Sequence, residues 1–148
     1  MGHVLVSLET TSTDERSGFP VDLRFWGDLW DRYVAEFQEV IIHCWDEEKM
    51  AIEELSVKAS NIKDEGLIQI FTLTLTEENR VFLRDNSIDS RGGLKWFTMF
   101  FHEEGDEVIE IGHYGSEIIL YKVNEEEADK FSSIFPQTST IEYYEEHT

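Results

Sequence analysis

The sequence predicts an α+β fold: a largely antiparallel sheet, made of a hairpin plus a three-strand meander, packed with two or three helices. Three observations carry this. Apolar residues alternate with period two in several stretches, most clearly from Leu67 to Thr76 and from Val108 to Ile111. Helical spacing occurs in only a few segments and does not alternate strictly with strands, so repeated βαβ units are not expected. No linker, internal repeat or low-complexity stretch divides the 148 residues, so 1–148 reads as one domain.

Taken in order, Val4, Val6 and Leu8 alternate with His3, Leu5 and Ser7 as a first strand. Thr10 to Gly18 is polar and runs into Gly-Phe-Pro, a loop. Val21 to Trp26 is a short strand or the approach to a helix. That helix spans about 27–37: Asp28 favours its start, and Trp30, Val34 and Phe37 recur at helical spacing. Ile41 and Trp45 would extend the stripe, whereas the β-branched run Val40-Ile41-Ile42 favours a strand, so 38–45 is open between the two. Asp46 to Met50 is a turn or a helix start. Leu55, Val57 and Ala59 alternate as a strand, Asn61 to Gly66 is a loop, and Leu67 to Thr76 completes a hairpin. Thr76-Glu77-Glu78-Asn79 either caps a short helix through Leu83 or turns into another strand. After a loop from Asp85 to Gly93, the meander comprises Leu94 to His102, Val108 to Ile111, and Glu117 to Val123. Its turns lie at Glu103–Asp106 and His113–Ser116. Asn124 and Glu127 form a capping box ahead of Ala128, Phe131 and Ile134, Pro136 ends that helix, and Thr138 to Tyr144 is an edge strand.

The charge narrows function most. Thirty-two Asp and Glu against twelve Lys and Arg give a net charge of −20. A surface of that sign repels phosphate backbones and anionic membranes, so neither nucleic acid nor a bilayer is an expected partner. It reads either as a solubility surface or as one that complements a basic protein. The hydrophobic fraction of 41%, with ten Phe and four Trp, is enough for the chain to fold unaided. Trp26, Trp30, Trp45 and Trp96 read as core. A lone cysteine, Cys44, in an apolar setting reads as a buried inert thiol, and with no signal-like N-terminus a cytoplasmic protein is expected.

No catalytic motif stands out. There is no phosphate-binding glycine loop and no nucleophile elbow, and Asp85-Asn86-Ser87-Ile88-Asp89 lacks the glycine and glutamate of a calcium loop. His102, Glu104 and His113 could approach across a meander, but their spacing matches no metal motif. A non-enzymatic protein without metal or cofactor is therefore expected. From Glu103 onward thirteen Asp and Glu face only Lys122 and Lys130. The expected partner-binding residues are Glu103, Glu104, Asp106 and Glu107 at the meander turn, with Glu142, Tyr143, Tyr144, Glu145 and Glu146 in the tail. Carboxylates there would pair with Lys and Arg, and the tyrosines would add rigid contact area. Glu107 and Glu110 fall on opposite faces of a strictly alternating strand.

In size, charge and absence of motifs the chain is similar to immunity proteins that neutralise bacterial toxins and to phage inhibitors that mimic nucleic acid. That resemblance implies an inhibitor that occludes a basic partner such as a toxin nuclease. The alternative is a small-ligand or regulatory domain with an aromatic-lined pocket.

Overall fold

The computed structural model describes residues 1–10, 20–89 and 92–146. Its centre is one eight-stranded sheet in which every pairing is antiparallel, in the order β3-β4-β2-β5-β6-β7-β1-β8. The strands are β1 (Gly2–Ser7), β2 (Glu39–Trp45), β3 (Asn61–Asp64), β4 (Ile68–Thr74), β5 (Thr98–Glu103), β6 (Asp106–Gly112), β7 (Glu117–Val123) and β8 (Thr140–Glu145). Among the described residues four α-helices accompany them: α1 (Phe25–Leu29), α2 (Lys49–Ser56), α3 (Glu77–Asp85) and α4 (Glu125–Ser132). The fold is thus α+β but sheet-dominated, with more strands than a hairpin plus a meander. β2 joins those two units by lying between β4 and β5, and β1 places β8 at the far edge.

Segment 38–45 resolves as a strand. α1 continues through a π-helical turn (Trp30–Val34), and the chain then enters β2 at the β-branched run. Arg80 of α3 fixes this helix end by donating to the carbonyls of Val34 and Phe37, and to that of Leu75 at 3.0 Å. The Val34 carbonyl also accepts from the Phe37 N–H at 3.0 Å, so the guanidinium closes the turn between helix and strand.

The expected strand at Leu55–Ala59 is not formed. Ala51 and Leu55, one helical turn apart, are buried in α2, while Val57 is 83% exposed. Burial at i and i+4 outweighed a three-residue alternation. The hairpin's first strand is instead β3, where a loop is expected. Its turn closes through Gly66 at φ +85°, whose N–H donates to the Asp64 carboxylate at 2.9 Å. Thr76 caps α3 by accepting from the Asn79 N–H at 3.1 Å, so that segment is a helix. Leu94 and Trp96 are buried ahead of β5 rather than within it. The capping box of Asn124 and Glu127 is present in full, and the expected edge strand is β8. The expected loop at Thr10 to Gly18 falls, beyond Thr10, outside the described residues.

The helices gather on one face of the sheet. Val4, Val6, Val40, Ile42, Phe71, Phe101 and Ile109 point there and are fully buried, in one core with Phe25, Leu29, Leu55, Leu83 and Phe131 of the helices. Trp26, Trp30 and Trp96 belong to this core, and the Trp26 indole donates to the Leu83 carbonyl at 3.2 Å. Trp45 does not: it alternates out of the core and packs on Phe97, ring centroids 5.0 Å apart.

Candidate binding face

Among the described residues no helix packs on the opposite face of the sheet, and the side chains there are not uniformly polar. Ladder register sets them in rows. One runs Ile41, Phe100, Glu110, Ile119 and Leu5, then Glu142 on β8. The apolar members and Glu110 are half-buried. The next row runs Glu39, His102 and Glu107 on one side, and Tyr121, His3 and Tyr144 on the other.

Glu107 reaches this row because the strand is irregular. Phe101 pairs with Ile109 and His102 with Glu107, which leaves Val108 as an extra residue. Val108 turns to the helical side, and Glu107 emerges beside Glu110. The expectation that these two carboxylates lie on opposite faces is corrected, because the bulge resets the alternation. Their side chains lie within hydrogen-bonding reach when one is protonated. Burial, then the charges of Glu107 and Glu117, push the Glu110 carboxyl above the ordinary carboxylate range. Tyr121 is pushed upward too, by burial and then by Glu110, Glu107 and Glu146. One oxygen of Glu107 and Nδ1 of His102 are buried without a hydrogen-bond partner among the described residues.

The turn between β5 and β6 is a two-residue hairpin with Glu104 at φ +51° and Gly105 at φ +85°. The Glu104 N–H donates to Gln38 at 2.8 Å, and Asp106 pairs with Lys122 at 3.0 Å. Glu103, Glu104 and Asp106 therefore sit at the rim. They also border an open cleft of about 840 Å³ on the helical side, with Tyr33, Glu36 and Lys130.

In β8, Glu142 and Tyr144 face outward with the rows, and the Tyr144 hydroxyl donates to the Glu142 carboxylate. His3 stacks on Tyr144 at 5.1 Å, and its Nδ1 lies 3.1 Å from Glu146. Tyr143 and Glu145 point the other way, and the single hydroxyl proton of Tyr143 has two acceptors in reach, the Glu145 carboxylate at 2.5 Å and the Val123 carbonyl at 3.1 Å. Of the expected residues, then, Glu107, Glu142, Tyr144 and Glu146 share the open face, and Glu103, Glu104 and Asp106 edge it. Tyr143 and Glu145 do not join them. β6 and β8 are three strand spacings apart, about 14 Å, so turn and tail meet at one end of the sheet.

The imagined grouping of His102, Glu104 and His113 is not formed. His102 pairs with the start of β6 and His113 follows its end, about 20 Å away across seven residues. Among the described residues no three His, Cys, Asp or Glu side chains are grouped to hold a metal ion. Cys44 is buried, and burial pushes its thiol up to about 12, with Glu48 adding to the shift. A thiol in that state is a poor nucleophile. A second cleft of about 620 Å³ beside α2 is lined by Glu48, Met50, Glu54, Lys95 and Tyr114 among others. No described helix is long and apolar enough to cross a membrane.

Compared with known proteins, the chain matches no protein-family model, no curated protein and no solved structure.

Proposed function

We propose that the protein is a non-catalytic acidic binding protein, of the immunity or inhibitor kind, that neutralises a basic protein partner such as a toxin nuclease. The observation that supports this best is the convergence of Glu107, Glu110, Glu117, Glu142 and Glu146 around a half-apolar sheet face that no described helix covers. Carboxylates massed on one surface steer a basic partner and speed its encounter, an effect that falls steeply with salt. Half-buried aromatic and aliphatic groups between them supply area that a solvated face does not need.

The alternative, a small-ligand domain with an aromatic pocket, has less support. Trp26, Trp30, Trp96, Phe101 and Phe131 are 0–5% exposed and pack on one another and on their neighbours, while the two larger clefts are lined mainly by charged side chains.

The test starts from a native cell lysate at low salt, with retained protein eluted by high salt and identified. A cognate basic toxin should lose its activity at one equivalent of this protein, with an association rate that drops as salt rises. A rate independent of salt, or full toxin activity in the complex, contradicts the proposal.

A further inference from the structure

We infer that the open sheet face seats a segment of the partner that is both basic and apolar, and that an Arg or Lys side chain of that segment enters at Glu110. This rests on the basic-partner reading above and says where and how the partner binds.

The row through Ile41, Phe100, Glu110, Ile119 and Leu5 crosses five strands, about 19 Å from β2 to β1. That is long enough for about six residues of an extended strand or three turns of a helix. Four of the five side chains are apolar and half-buried, and the buried residues of the described helices belong to the core on the other side of the sheet rather than to this row. An antiparallel sheet with a solvated face normally alternates to polar residues there. Partly exposed apolar side chains on both sides of Glu110 depart from that pattern and give a partner apolar area to cover.

Glu110 stands at the middle of the row. Its neighbours in the same field are the carboxylates of Glu107 and Glu117, with His113 as the nearby group of opposite tendency. No Lys or Arg forms an ion pair with it among the described residues. A half-buried carboxylate among like charges is satisfied best by a cation from outside, and the surrounding apolar groups would strengthen that pair by excluding water. Beside it, Tyr121, His3 and Tyr144 form an aromatic ladder with centroids 5.9 Å and 5.1 Å apart, a surface on which a guanidinium stacks.

Charge complementarity selects the occupant. A second copy would set −20 against −20 and bring Glu110 rows together. A purely cationic segment would leave Phe100 and Ile119 uncovered. A basic segment with interspersed apolar residues satisfies both parts of the face.

Two synthetic peptides of equal length and charge test this with the full chain: one alternating Arg with Leu, the other Arg with Ser. At about 150 mM salt, calorimetry should show the Arg–Leu peptide binding at least about tenfold tighter, the equivalent of about one buried apolar side chain. Amide shifts should centre on Leu5, Ile41, Phe100, Glu110 and Ile119. Glu110→Gln and Ile119→Ser should each weaken it several-fold while leaving the spectrum folded. If both peptides bind equally, or the shifts fall on the cleft between Tyr33 and Lys130, the inference is overturned while the basic-partner reading stands. If neither peptide binds, both fail.

Discussion

The two faces of the sheet are built from the same strands and differ in what their side chains meet. On the helical side, residues such as Val40, Ile42 and Phe101 are fully buried. One position along each strand, Ile41 and Phe100 are as apolar but only half-buried, with Glu110 among them. The first face contributes more to stability than the second, because an apolar side chain left partly exposed contributes only part of its transfer free energy. On the proposed reading, residues of that kind serve an interface.

The sharpest way to break this comparison is to truncate neighbours on opposite faces. Phe101→Ala should cost about 3–5 kcal/mol, as expected for a large core aromatic. Phe100→Ala should cost about 1 kcal/mol or less, the scale of a cross-strand pair. Urea denaturation checks both, and equal losses would show that the second face is also structural.

A smaller effect is expected at the seam that carries the tail. A Cβ on Gly2 would lie 1.9 Å from the Tyr144 carbonyl oxygen, so β8 cannot keep its place beside β1 in Gly2→Ala. A loss of about 1–3 kcal/mol should follow, with amide-exchange protection falling across Thr140–Glu145 while β5 and β6 stay protected.

The smallest effect comes from Glu110 itself. Its folded pKa is raised, so the folded state binds the proton more tightly than the unfolded chain. Stability is therefore undiminished below the ordinary carboxylate pKa and is lost as pH rises from there through the raised value. Glu110→Gln should raise the denaturation midpoint at neutral pH and leave it unchanged in acid. A variant that is more stable and yet binds worse would place Glu110 among residues kept for contact rather than for folding.

Much of the architecture was legible in the chain. The strands of the meander, the capped helix after Asn124 and the edge strand were visible because alternation and capping chemistry are local signals. α2 and β3 are not legible in the sequence, because Leu55, Val57 and Ala59 alternate by chance and only burial against the core shows that Ala51 and Leu55 belong together. The site was half legible. Charge density pointed to the turn and the tail, but strand order brought them to one end of the sheet. Glu110 was passed over because strict alternation set it opposite Glu107. The bulge at Val108 that unites them comes from pairing with β5, which a single strand's sequence does not contain. Apolar residues on the second face, such as Ile41 and Ile119, were readable only as members of hydrophobic runs.

The most direct test of the account is the association rate of the cognate basic partner as a function of salt. It should be compared between the native protein and a variant carrying Glu107→Gln, Glu110→Gln, Glu117→Gln and Glu142→Gln. If the open face is the interface, the variant should associate more slowly at low salt, with a flatter salt dependence, while the two proteins converge at high salt. Identical rates and slopes would place the partner elsewhere on the molecule and contradict the assignment of this face.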